Sequence, residues 1–278
     1  MWIQKNIDYG KKLRLSSWRR IALGTWRGYG DPTIYGLLEL DVGPALEYMK
    51  EIETRTGKRI TITHFMGKAV AEVLKRHPEI NCVIRFGSLH PRSSIDVFFM
   101  VASDSVGEDL SGLCVHDADR KSLAEISDEV NQRSQRIREK KDTSYKGMKS
   151  IFTQVPNFMS TLVMKVVEFI LYSLNLWSPA LGLPRKAFGS VMVTNVGSLG
   201  LDVAWGALVP FARSPMLVTM GSYQEMPAVK NGQLTIIQQL RLGVTIDHRV
   251  VDGVQASHMS KTLKKIFADP AKELVHRS

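Results

Sequence analysis

Near the C-terminal end, the β-branched run Val244-Thr245-Ile246 breaks off into Asp247, His248 and Arg249, and a helical pattern starts at Val254. The run reads as a buried strand, because β-branched side chains fit a pleated surface. A histidine at the end of a rigid strand, between charged neighbours, is held in place. A general base needs this, since proton transfer requires hydrogen-bond reach in a fixed geometry. The competing reading is a structural histidine satisfied by its acidic neighbours, and for an isolated histidine that is the commoner case.

The rest of the chain alternates strand and helix patterns. Residues 33–42 read as a strand, and Pro44 suits the first turn of a helix reaching about Thr56. Residues 61–64 precede a second helix, whose apolar spacing runs from Phe65 to about His77, where Pro78 stops it. Strands follow at 80–86 and 94–102, the latter apolar enough to be buried on both faces. After a polar loop at 103–112 come a short strand at 113–116 and an amphipathic helix at 121–140. Later strands are expected at 189–196, 215–220 and 234–246, with Lys230-Asn231-Gly232 as a hairpin turn. A last helix covers 254–267. This is an α/β chain with one mixed sheet and helices against it.

Two segments break the pattern. Residues 1–30 form a basic N-terminal arm with Trp2, Trp18 and Trp26, of the kind that docks on a neighbour. An apolar helical insertion occupies about 145–187. Its helix is expected at 158–177, with polar positions Thr161, Lys165, Glu168, Tyr172 and Asn175 on one narrow stripe. Most of that helix should therefore be covered, by the protein or an oligomer partner. Contact with a membrane surface through 158–177 is the weaker reading.

The formal net charge of +10 favours anionic partners. No zinc finger, RNP motif or Gly-rich phosphate loop is present, which argues against nucleic acid. The two cysteines, Cys82 and Cys114, fit a reducing compartment, and no secretory signal is apparent, so the expected location is cytoplasmic. The histidines lack metal-ligand spacing, so no metal is expected.

The stretch Asp247-His248-Arg249-Val-Val-Asp252-Gly253 resembles the D-H-R-x-x-D-G signature of the dihydrolipoamide acyltransferase catalytic domains. These are the core subunits of 2-oxo acid dehydrogenase complexes, related more distantly to chloramphenicol acetyltransferase. Three other stretches are similar to that family: residues 61–70 with 74–81, residues 117–126, and Val193-Thr194-Asn195-Val196-Gly197. The resemblance implies a chloramphenicol acetyltransferase-like two-layer sandwich, with a mixed sheet, helices on one side and assembly as a homotrimer or a multiple of trimers, including cubic particles. It implies acyl transfer between coenzyme A (acyl-CoA as substrate) and a thiol or hydroxyl, with His248 as general base. Thr194 would steady the oxyanion, from the neighbouring subunit, and Asp252 would assist. Asp247 and Arg249 would brace the histidine loop, Gly253 would permit the turn into the helix, and Asn195 belongs to the supporting stretch.

The chain departs from the family pattern in three ways. The catalytic domain, 31–278, begins almost at once, and no lipoyl-lysine is expected in this chain. The family's proline-bearing loop is replaced by an acidic one at 104–115, and the apolar insertion is added. A free-standing acyltransferase with its own acceptor is the preferred reading. The alternatives are a core subunit served by a lipoyl-bearing protein in trans, and a non-catalytic shell protein of the same fold.

Overall fold

The computed structural model describes residues 3–11, 31–102, 110–139 and 155–274, with 141, 142, 144, 145, 147, 148 and 150 between them. In chain order the strands are β1 (Gln4–Lys5), β2 (Thr33–Asp41), β3 (Cys82–Arg85), β4 (Ser88–Pro91), β5 (Val97–Ala102), β6 (Leu110–Val115), β7 (Leu176–Trp177), β8 (Val191–Asn195), β9 (Met216–Lys230) and β10 (Gln233–Asp247). The helices are α1 (Gly43–Thr56), α2 (Ile62–Arg76), α3 (Leu123–Arg138), α4 (Asn157–Glu168), α5 (Gly253–Ala268) and α6 (Pro270–Glu273). Helix starts follow local chemistry. Pro44 sits in the first turn of α1, and Thr61 and Ser122 close capping boxes on α2 and α3.

Six strands make one mixed sheet in the order β2-β10-β9-β8-β5-β6. β8 runs parallel to β5 and β9, and the other neighbours are antiparallel. The β9–β10 turn is Asn231-Gly232, with φ of 52° and 79°. Two consecutive left-handed residues are what a two-residue hairpin turn demands.

Alternation along the strands sorts side chains into two layers. Val97 and Phe99 on β5, Val191 and Val193 on β8, and Val244 and Ile246 on β10 join α1, α2, α3 and α5 in the main core. Phe98, Met192 and Leu217 point to the other face and form a smaller cluster with Ala212. α2 lies deepest, with Phe65, Met66 and Leu74 buried. Each such side chain contributes about 1.5–3 kcal/mol on burial. Lys68 is also buried on α2, and its Nζ donates to the carbonyls of Asp119 (2.8 Å) and Ala118 (3.4 Å). Burial pulls its pKa down to about 8.

The face opposite the helices is crossed by the loop after β8, and two strand glycines let it approach. A Cβ at Gly221 would lie 1.8 Å from the Asp202 carbonyl oxygen, and one at Gly243 would lie 1.9 Å from that of Ala204. Any side chain there would push the loop off the sheet.

Several expectations need correction. Residues 88–91, between the strands expected at 80–86 and 94–102, form β4, so β3 and β4 are a separate hairpin turning at Phe86-Gly87. The strand expected at 113–116 starts three residues earlier in β6, while 103–109 lie outside the described residues. The helix expected at 158–177 ends early. α4 passes into a π turn at Phe169–Ser173, and Asn175 reverses the chain with φ of 56°. β7 then pairs with β1.

The expected stripe is also inverted towards its end. Tyr172 and Asn175 are buried, while Phe158, Met159, Leu162, Val166 and Phe169 are exposed on one face. Burial of the polar positions follows from their partners. The Asn175 side chain donates to the Ile7 carbonyl (2.9 Å) and accepts from the Ile7 amide (2.8 Å), so it stands in for a strand neighbour. Residues 3–11 therefore dock on this chain's own insertion. The remainder of the basic arm, 12–30, lies outside the described residues. Asn175→Ala would strand both Ile7 backbone groups and place alanine in a left-handed conformation. The expected loss is about 2–4 kcal/mol, read from chemical denaturation. Among the described residues, no helix is long and apolar enough to cross a membrane.

Candidate active site

β10 ends at Asp247, which pairs with Thr33 on the edge strand β2. The chain then turns tightly. The amides of Val250 and Val251 both donate to the Asp247 carbonyl, at 2.9 and 3.0 Å, and the His248 amide donates to the Pro32 carbonyl at 2.9 Å. Inside this turn, His248 Nδ1 lies 2.9 Å from the Val251 carbonyl oxygen. A carbonyl can only accept, so Nδ1 carries the proton and the lone pair is on Nε2. That tautomer suits a general base. Arg249 donates through Nε and an NH2 group to both oxygens of the buried Asp247, at 2.7–3.2 Å. This fork pins the residues on either side of the histidine.

Asp252 is the N-cap of α5. Its Oδ1 accepts from the amides of Val254 (3.1 Å) and Gln255 (3.0 Å), and Gln255 returns a bond to the Asp252 amide. Asp252→Ala is expected to cost about 1 kcal/mol in thermal melts, while Asp252→Asn, which can still cap, should melt within a few tenths of wild type. A larger effect of Asp252→Asn on turnover than on melting would separate a chemical role from the cap. Gly253 does not take a left-handed backbone, so the turn itself does not require glycine. A Cβ there would meet nothing within 4 Å.

Thr194 lies on β8, half-buried, on the face away from the main helices. Asn195 points the other way, donating to Thr63 Oγ1 at the start of α2 (3.1 Å) and accepting from the Ser198 amide (3.3 Å). Thr194 pairs with Thr219, and Thr219 with Gly243, so all three lie in one row across the sheet. His248 is five residues beyond Gly243. Two strand spacings sideways and five residues along put His248 and Thr194 about 19 Å apart within one chain. A single chain therefore does not bring them to one reacting atom.

A cavity of about 600 Å³ abuts the histidine loop. Its wall includes Pro32, Asp247, Arg249 and Val250, with Phe86 from the β3–β4 turn and Glu168, Phe169 and Ser173 from the insertion. Arg213, also in the wall, holds Glu168 at 2.6 Å and donates to the Ile84 carbonyl at 3.0 Å. Of these wall residues, only Asp247 and Arg249 were singled out from the sequence for the site, and Glu168 only as part of the polar stripe. The wall comes from segments distant along the chain, and no motif links them. Among the described residues, no three His, Cys, Asp or Glu side chains are grouped to hold a metal ion.

Comparison with known proteins fits this geometry. The family described as 2-oxoacid dehydrogenases acyltransferase (catalytic domain) matches residues 30–158 and 187–275. The chain belongs to this acyltransferase family. The gap in the match, 159–186, falls on the insertion. Among curated acyltransferases of this kind, the dihydrolipoyllysine-residue succinyltransferase component of the 2-oxoglutarate dehydrogenase complex from Azotobacter vinelandii is 25% identical over 247 residues, covering 85% of this chain and 50% of that protein. The corresponding acetyltransferase component of the pyruvate dehydrogenase complex from Staphylococcus epidermidis is 23% identical, over 84% of this chain and 45% of that protein. The chain thus spans about half the length of these relatives. The Azotobacter vinelandii dihydrolipoamide acetyltransferase structure has a TM-score of 0.65 at 18% identity, covering 97% of this chain and 94% of the other. The cubic core of a pyruvate dehydrogenase complex also gives 0.65 at 18% identity, with 96% of each chain covered. At such identities the likeness establishes the acyltransferase fold.

Proposed function

We propose that this chain moves an acyl group between CoA and a thiol or hydroxyl acceptor by direct attack, without an acyl-enzyme. The observation that carries the reading is the tautomer of His248, fixed by the Val251 carbonyl at 2.9 Å with the lone pair on Nε2. Nε2 takes the proton of the acceptor as its sulfur or oxygen attacks the thioester carbon. The tetrahedral oxyanion then collapses, the carbon–sulfur bond to CoA breaks, and the departing thiolate takes the proton back from the imidazolium. The oxyanion needs a preorganised donor, and we assign that role to the Thr194 hydroxyl of a second copy.

The separation of about 19 Å that strand spacings give within one chain supports a shared site, and so does exposed apolar surface. Tyr35 and Leu37 on β2, and Leu234 and Ile236 on the β9–β10 arm, are all exposed. Such patches mark contact surfaces. A trimer, or a multiple of trimers, is the assembly we infer. In the Azotobacter vinelandii acetyltransferase, the histidine and asparagine investigated for their role in catalysis, together with a serine, lie four positions apart. His248 and Asp252 have the same spacing, which supports Asp252 as an assisting group in addition to its capping role.

The similarity to components of oxo acid dehydrogenase complexes favours a second reading, a core subunit that receives acyl groups from lipoyl domains on another chain. Incubation with acetyl-CoA or succinyl-CoA and dihydrolipoamide, with CoA release followed by chromatography, separates the two. Transfer to dihydrolipoamide supports the core-subunit reading. Silence there with turnover on another thiol or alcohol supports the free-standing enzyme. Failure to bind CoA in calorimetry defeats both.

A further inference from the structure

The cavity beside the His248 loop has features that narrow its ligand. Its volume, about 600 Å³, is within the range of small-molecule sites. Its wall mixes polar and apolar groups, and aromatic side chains on its rim are open to solvent. Phe86 is 65% exposed and Phe169 49%. Phe86 also holds φ of 46°, a conformation unfavourable for a bulky residue, at the tip of the β3–β4 turn.

Both arginines in the wall are already matched. Arg213 is taken by Glu168 (2.6 Å) and Arg249 by Asp247 (2.7 Å), while Asp31 accepts from the amide and hydroxyl of Thr33. Among the described wall residues, no arginine is left over for a phosphate, and an anionic ligand would have to break an existing pair. An uncharged, apolar group meets no such cost. Part of the wall comes from Glu168, Phe169 and Ser173, which lie in the segment the family match skips. This boundary therefore belongs to this chain and not to the family pattern.

We propose that the cavity is a subsite for an uncharged aliphatic or aromatic tail, carried either by the transferred acyl group or by its acceptor. This rests on the acyltransferase reading of the adjoining histidine. The anionic nucleotide end of CoA binds elsewhere.

The test is calorimetry on the full chain with CoA, acetyl-CoA, octanoyl-CoA and 1-octanol. Two variants change the wall without touching the histidine loop. Ala207→Trp fills the cavity from an exposed position, and Phe169→Ala strips its rim. Melting curves check that each variant is folded, and either one serves if the other is not. If the tail is on the acyl group, octanoyl-CoA binds wild type at least about tenfold more tightly than acetyl-CoA. That gain disappears in the variants, while CoA affinity is unchanged. If the tail is on the acceptor, 1-octanol binds wild type in the presence of CoA and not the variants. The proposal is overturned if CoA binds but neither chain length nor 1-octanol has any effect, or if the octanoyl gain survives both substitutions. The acyltransferase reading would outlive either result. Absence of CoA binding removes that reading itself, and the subsite with it.

Discussion

His248→Ala is expected to lower the turnover of acyl transfer by about 10²–10⁴-fold, the range that general-base assistance supplies. The affinity for CoA, read by calorimetry, should stay close to wild type. The separation of the two effects follows from the geometry. The imidazole is half-buried at the end of β10, outside the main core, and its Nδ1 bonds the Val251 carbonyl two residues before α5 begins. Alanine removes the proton acceptor and leaves in place the loop's own framework: the Asp247 carbonyl accepting two amides, the Arg249–Asp247 fork and the Asp252 cap. A melting temperature near wild type would show that the loop has survived. Unchanged turnover in a folded variant would rule out Nε2 as the base.

Thr194→Ala should cost about 10²–10³-fold in turnover if its hydroxyl steadies the oxyanion, and Thr194→Ser should recover most of it. The more discriminating experiment combines two inactive variants. Co-expression of His248→Ala and Thr194→Ala chains should restore activity, because a mixed assembly can join an intact histidine from one chain to an intact threonine from the next. For random mixing in a ring of head-to-tail contacts, about one site in four receives both groups. The expected recovery is therefore about a quarter of wild-type turnover, against almost none for either variant alone. The row Thr194–Thr219–Gly243 and the five residues from Gly243 to His248 demand this outcome if both groups act on one substrate. Mixed assemblies as silent as the parents would mean that the two residues do not share a site across chains.

The two glycines under the crossing loop show how a local residue choice shapes the site's surroundings. Gly221 and Gly243 sit in long strands where a side chain would ordinarily pack. Their bare backbone lets 202–206 lie on the sheet, where Trp205 Nε1 donates to the Gly36 carbonyl at 2.9 Å. In the sequence they read only as interruptions of a strand pattern.

The sequence by itself determined what depends on near neighbours. The β-branched run into Asp247 and the helical pattern from Val254 determined a strand end carrying His248. Asn231-Gly232 determined the hairpin, because few other pairs accept two left-handed conformations. Pro44 marked where a helix begins. The motif residues could also be named from sequence, since the D-H-R-x-x-D-G spacing is local. Only the tertiary structure decided what depends on contacts between distant segments. Periodicity alone called for a long helix at 158–177, but Asn175 is drawn into the backbone of Ile7, 168 residues away, and the chain turns back there. The polar stripe turned inward because its partners, Ile7 and Arg213, come from remote parts of the chain. The cavity beside the histidine is assembled from at least five separate segments, and no one-dimensional pattern records which of them meet. The distance between His248 and Thr194 is likewise set by strand order and register, which long-range pairing decides.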